Sequence, residues 1–241
     1  MTNIKTRFDP DLRKIIKKKK QTVAVIPVGS IEQHGPHLPI STDSDIVTEV
    51  AKKIAQTNGY FLLPTVTYGV SFEHAPFFNL SIRELTLRNI LTDLCSSLLA
   101  NNIKTIFIIN GHHGNLKAVK NLDLKLQKLS KNNLKVFSFS YWHFMSGEFD
   151  HAGFVETSLM LAISKNVKMR LAKKGLITDG MSKQEIKRLE KIANQSFPKA
   201  TKNGIWGDPT KATKKDGKKI FDEITGNLVK KCQTCLTGHS L

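Results

Sequence analysis

Residues 22–45, TVAVIPVGSIEQHGPHLPISTDSD, decide how the rest of the chain is read. The opening TVAVIPV is a short, β-branched, almost wholly apolar run, the pattern of a strand covered on both faces. Behind it, Glu32, His34, His37, Asp43 and Asp45 sit among glycines and prolines where neither helix nor sheet easily continues. Glu32 and His34 are two positions apart, so in an extended segment their side chains leave the same face and converge. Asp43 can return to that point after the Gly35-Pro36 and Leu38-Pro39 bends. Buried histidines and carboxylates that face one another are costly unless protonated, hydrogen-bonded or metal-bound, and an ion satisfies all of them at once.

Outward from this segment, strand and helix patterns alternate. Residues 45–56 read as a helix with Thr42 or Ser44 as its cap and Gly59 just beyond its end. Residues 61–67 read as a second strand, and Ser81 with Glu84 has the capping-box spacing of a helix carrying Leu85, Leu87, Leu91, Leu94, Leu98 and Leu99. A third strand at 105–109 ends at the Asn110-Gly111 turn, and a helix over 116–129 and a strand over 135–141 follow. This order predicts a mainly parallel sheet with helices on both faces, an α/β fold of three layers (α/β/α) in a single domain over 1–241. Further helices are expected at 156–164, at 182–193 behind a second capping box of Ser182 and Glu185, and at about 210–231. A loop over 196–209 holds Trp206 between Gly204 and Gly207.

Composition bounds the class. With 241 residues and 40% hydrophobic content the chain can bury a sizeable core. No apolar run approaches the ~20 residues of a membrane helix, and the lysine-rich start lacks the apolar stretch of a signal peptide. A cytoplasmic protein with no membrane partner is expected, and the small, odd cysteine set of Cys95, Cys232 and Cys235 fits a reducing compartment. The net charge of +17 is carried entirely outside residues 21–164, where eleven basic residues meet eleven acidic ones. The lysine runs therefore read first as solvated surface, and a basic anion- or nucleic-acid-binding protein is the rival from another class. It lacks interleaved aromatics or a recognisable nucleic-acid motif, so nucleic acid is not an expected partner. Cys232 and Cys235 with His239 look like half of a zinc knuckle without its second pair, which reads as a helix terminus.

In open parallel sheets ligands bind at the carboxyl ends of the strands. Glu32 and His34 follow the first strand, Glu73 and His74 the second, His112 and His113 the third, and His143 the fourth. Four polar clusters at one sheet edge point to a functional site. Mixed imidazole and carboxylate donors without cysteine suit an open site for Zn²⁺, Mn²⁺ or Fe²⁺, which polarises a carbonyl and lowers the pKa of water. His151 is the candidate proton shuttle to a departing nitrogen. Glu73, His74 and His113 are candidate substrate contacts, Trp142 or Trp206 a stacking surface for a flat substrate, and His37 a support for His34.

These residues resemble the creatininase (creatinine amidohydrolase) family. The resemblance rests on residues 29–39, GSIEQHGPHLP, with Thr42-Asp43, on NGHHGN at 110–115, on His151-Ala152-Gly153 with Glu156-Thr157-Ser158, and on GDPT at 207–210. It implies a metal-dependent hydrolase of non-peptide or cyclic amide C–N bonds that uses one or two divalent ions and often assembles as a hexamer. By motif match Glu32, His34, Asp43 and His112 are implied metal ligands, with Asp43 bridging and Glu156 a fifth ligand of catalytic importance. In creatininase an acidic ligand lies two positions after the histidine matching His112, whereas here Gly114 stands there. His113 replaces a common glycine, and Phe77-Phe78-Asn79 replaces a proline-glycine pattern. Among family activities, deformylation of a formylamino-pyrimidine ribosyl phosphate in flavin and deazaflavin synthesis is the expectation preferred here. A compact chain with a basic surface suits a phosphorylated small-molecule amide. Creatinine ring opening and trimming of the mycofactocin precursor peptide are the alternatives within the family.

Overall fold

The computed structural model describes residues 1–237. Its strands are β1 (Thr2–Asn3), β2 (Val23–Val28), β3 (Phe61–Leu62), β4 (Thr105–Asn110) and β5 (Lys135–Ser140), in a sheet of order β1-β3-β2-β4-β5. Every pairing is parallel. Alternation along β2 and β4 divides the core in two. Val23, Val25, Phe107 and Ile109 face one layer, and Ala24, Ile26, Ile106 and Ile108 face the other. The first layer holds α2 (Thr42–Asn58), α6 (Phe154–Ile163) and α9 (Lys214–Thr237). The second holds α1 (Asp9–Lys18), α3 (Glu84–Ala100), α4 (Leu116–Val119) and α5 (Leu122–Leu129). Two further helices, α7 (Lys183–Ala193) and α8 (Phe197–Thr201), pack together beside the carboxyl edge of the sheet. Among the described residues no helix is long and apolar enough to cross a membrane.

Several local expectations are corrected. The second strand closes at Leu62: Leu63 N still donates to Val25 O, but the next ladder donor is Pro27 on β2, which has no N–H, and pairing resumes only at the Val28–Val66 bridge. Ser81 does not cap α3, whose N-cap is Arg83; its hydroxyl instead accepts from Ser71 N at 2.8 Å and ties down the loop before the helix. The expected helix over 116–129 breaks between α4 and α5 at Asn121, which takes a left-handed φ of 56°. That break lets Ala118, Val119, Leu122 and Leu126 all reach the core. Cys232 and Cys235 lie inside α9, which continues to Thr237, and burial pushes the Cys232 thiol up to about 12. His239 lies outside the described residues.

Helix α9 crosses α6 at Gly217, where an added Cβ would lie 1.7 Å from the Ser158 carbonyl oxygen. Gly217→Ala gains about 1 kcal/mol of helix propensity, but backbone on backbone cannot yield, so overpacking of roughly 2–3 kcal/mol wins. The melting temperature should fall by several degrees. A rise on calorimetry would show that the two helices are not in such close contact.

Candidate active site

The loops after β2, β4 and β5 deliver their polar residues to one cavity of about 470 Å³ at the carboxyl edge of the sheet. Two asparagines hold these loops together. Asn110 Oδ1 accepts from His112 N at 3.1 Å, Asn115 Nδ2 donates to Gly29 O at 3.0 Å, and Asn115 Oδ1 accepts from Val70 N at 3.0 Å. Asn115 is the N-cap residue of α4, but its side chain is engaged by these loops and makes no capping hydrogen bond. Asp43 enters from the first turn of α2 and Glu156 from the first turn of α6. The start of α6 is shaped by Asp150, whose Oδ2 accepts from Val155 N at 3.0 Å; burial raises the Asp150 carboxyl to about 6.

Glu32, His34, Asp43, His112 and Glu156 are all buried and face one another. His34 Nδ1 lies 3.1 Å from the Glu32 carbonyl oxygen, which can only accept, so this nitrogen carries the proton and Nε2 keeps its lone pair. His112 Nε2 lies 2.9 Å from the Val70 carbonyl oxygen, which leaves the lone pair on Nδ1 by the same reasoning. The two free lone pairs flank Asp43: His34 Nε2 is 3.2 Å from Oδ1, and His112 Nδ1 is 2.9 Å from Oδ2. Glu156 Oε2, which accepts from Ala152 N at 2.6 Å, is 3.5 Å from His34 Nε2. Glu32 Oε2 accepts from Ser30 Oγ at 3.0 Å. Asp43 Oδ2 and Glu32 Oε1 are buried oxygens that no correctly directed hydrogen bond reaches.

Lone pairs aimed at carboxylate oxygens repel unless positive charge lies between them, and the electrostatics express this directly. Burial alone pulls His34 down, but Asp43 and Glu156 raise it to about 10; Glu32 and Asp43 raise His112 to about 10 against the same burial. Burial pushes Glu32 and Glu156 up to about 8. Asp43 resists its burial and is held well below the carboxylate range by His34 and His112. A divalent cation fits this donor set as protons do, and among the described residues three groupings have the compactness to hold one: Glu32, Asp43 and His112; His34, His151 and Glu156; and Glu32, His74 and His151.

The remaining candidates are distributed around this centre. Burial lowers His74 to about 3, and its Nε2 lies 3.1 Å from Glu32 Oε1. His151 lines the cavity, held beside Trp206 by a pair of backbone hydrogen bonds of 3.0 and 2.9 Å. Glu73 and His113 stand at the mouth. Trp206 lines the cavity, whereas Trp142 packs in the core with its ring stacked 5.0 Å from Phe149 and does not line it. His143 is exposed and lies away from the lining. His37 hydrogen-bonds the Thr157 hydroxyl at 2.9 Å, next to Glu156. The cavity lining also includes Glu148, Asp150, Glu190 and Phe197, which sequence reasoning missed because they come from segments without a motif of their own.

A family model described as Creatininase, creatinine amidohydrolase, matches residues 9–232. The chain belongs to the creatininase family. It is 32% identical over 219 residues to a mycofactocin precursor peptide peptidase of Mycobacterium ulcerans, covering 85% of this chain and 82% of that protein. It is 27% identical to a 2-amino-5-formylamino-6-ribosylaminopyrimidin-4(3H)-one 5'-monophosphate deformylase of Methanocaldococcus infernus, covering 90% and 93%. A solved structure titled creatininase Mn superposes with a TM-score of 0.80 at 21% identity, covering 95% of this chain and 96% of its own. This member of the creatininase family has no room for an acidic residue at position 114, where a Cβ would lie 2.0 Å from the Val70 carbonyl oxygen. Glu156 reaches the cluster from the first turn of α6, with Oε2 3.5 Å from His34 Nε2.

Proposed function

We propose that this chain is a metal-dependent amidohydrolase that cleaves the C–N bond of a neutral or cationic amide, either a short peptide or a small molecule. Glu32, Asp43 and His112 would hold an ion at one position, and His34, Asp43 and Glu156 would hold one at the other. Oxygen and imidazole donors without cysteine favour Zn²⁺, Mn²⁺ or Fe²⁺. Bound divalent ions supply Lewis-acid polarisation of the amide carbonyl and a water of lowered pKa. The chain's own groups do the rest. Water adds to the carbonyl carbon and gives up a proton to His151, which lines the cavity beside Glu32; as the C–N bond breaks, the departing nitrogen takes that proton from His151. Glu73, His74 and His113 meet the substrate, and Phe149, Phe197 and Trp206 give the cavity an apolar wall that limits water.

The substrate class rests on one observation: beyond the proposed metal ligands Glu32, Asp43 and Glu156, the cavity is lined by Glu73, Glu148, Asp150 and Glu190 and by no lysine or arginine. The basic surplus of the chain lies elsewhere, so a phosphorylated substrate would meet like charge at the mouth. This favours a peptide or an uncharged amide over the formylamino-pyrimidine nucleotide preferred on the resemblance alone. The test is a side-by-side assay of Zn²⁺- and Mn²⁺-loaded protein on short neutral and lysine-containing peptides, on creatinine, and on the formylamino-pyrimidine nucleotide. Amine release from a peptide or opening of creatinine is the expected result. Rapid formate release from the nucleotide, with the other substrates untouched, would overturn it in favour of the deformylase.

A further inference from the structure

Gln33 lies between the proposed ligands Glu32 and His34, yet its side chain turns away from them and reaches two other histidines. The orientation of its amide is determined by backbone groups. Oε1 accepts from Gly35 N at 2.9 Å and Nε2 donates to Gly204 O at 3.1 Å, so oxygen and nitrogen cannot be exchanged. The second hydrogen on Nε2 is directed at His74 Nδ1, 3.0 Å away. An amide nitrogen cannot accept, so His74 Nδ1 is the acceptor and the His74 proton sits on Nε2. His151 Nε2 lies 3.2 Å from the backbone oxygen of the same Gln33, and 3.2 Å from its amide nitrogen. A carbonyl oxygen can only accept, so His151 also carries its proton on Nε2, and its Nδ1 keeps a lone pair.

Both rings thus adopt one tautomer but turn opposite ends to the cavity. His74 presents an N–H, with Nε2 3.1 Å from Glu32 Oε1 in an electrostatic contact rather than an aligned hydrogen bond, and His151 presents a lone pair, with Nδ1 3.9 Å from the same oxygen. The remaining ring surfaces meet Phe197, stacked on His74 and edge-on to His151 with both centroids 4.6 Å away, which offers no competing hydrogen bond. The cradle also explains Gly204, which has a φ of 76° and where a Cβ would lie 2.0 Å from Gln33 Oε1.

We propose that Gln33 is the positioning residue that sets the tautomers of His74 and His151, leaving His74 to orient Glu32 and His151 Nδ1 free to collect and deliver the proton of the reaction. Its effect on turnover rests on the amide-hydrolase reading; the tautomers themselves do not. The test is long-range ¹H–¹⁵N NMR of the histidine rings in ¹⁵N-labelled, Zn²⁺-loaded protein. Wild type should show both rings protonated on Nε2. Gln33→Met keeps the volume but removes the donor, and should move His74 to a mixed or Nδ1-protonated pattern. It should also lower kcat by roughly 10–100-fold with little change in KM and with zinc content preserved. Gly204→Ala, which displaces the amide without touching either ring, should shift the same resonances. A wild-type spectrum with His74 protonated on Nδ1, or variants whose tautomers match wild type, would overturn the assignment. If the tautomers shift as described while no amide is turned over, the positioning role stands and the proposed reaction is the part that fails.

Discussion

Asp43→Ala should purify without a tightly bound divalent ion and lose at least about a thousandfold in kcat/KM, some 4 kcal/mol of transition-state stabilisation. Asp43 is the group on which the proposed centre turns, since its two oxygens face the free lone pairs of His34 and His112 separately. Removing it leaves two buried imidazoles without their shared anion, and each proposed ion position loses one of three protein ligands at once. Asp43→Asn keeps the shape and reports on charge alone, so it separates lost ligation from a disturbed fold. Elemental analysis by mass spectrometry and steady-state kinetics on the same preparations check the result. Full metal content together with wild-type turnover in either variant would remove Asp43 from the centre.

Stripping the ions should also make stability strongly pH-dependent. His34 and His112, raised to about 10 in the ion-free protein, contribute stability that is complete below their usual 6.5 and is lost as pH climbs through 10. Glu32 and Glu156, raised to about 8, contribute stability that is complete below 4.5 and is lost as pH climbs through 8. Asp43 has the opposite sign, being held low, and its contribution disappears only in strong acid. Four groups therefore act in one direction between about pH 5 and 10, and the ion-free protein weakens steadily over that interval. Loaded protein keeps its positive charge as metal and is spared this loss. An ion held a thousandfold more tightly than its free concentration contributes about 4 kcal/mol, or roughly 8–16 °C in melting temperature for a chain of this size. Scanning calorimetry with and without chelator at pH 6, 7.5 and 9 should show the gap widening with pH. A gap that narrows would mean that these donors do not share a cation.

The layered α/β architecture was legible because its signals are local and repeated. TVAVIPV could only be a strand covered on both faces, and Gly59 marked the end of α2 by the left-handed cap it adopts, with a φ of 69°. The capping box at Ser182 and Glu185 formed as read. The same spacing at Ser81 and Glu84 did not, because Ser71 N, ten residues upstream, claimed the hydroxyl. A four-residue pattern cannot register such a competitor. Pro27 was visible in the sequence, but where pairing with the next strand would resume beyond it depended on the fold.

The donor types of the candidate site were likewise readable, since acids and histidines after strands of a parallel sheet converge on its carboxyl edge. What the sequence determined by itself was therefore the layer order, the edge at which chemistry is placed and the kinds of group found there. Only the tertiary structure decided that Glu156 reaches His34 from another helix, that Trp142 is core while Trp206 is wall, and that the mouth is acidic although the chain as a whole is basic. It also decided the role of Gln33, whose partners His74, His151 and Gly204 lie 41, 118 and 171 residues away. Periodicity and capping arise from interactions within a few residues and are written in the order of the chain. Tautomers, buried oxygens and the charge of a cavity arise from atoms that become neighbours only when the chain has folded.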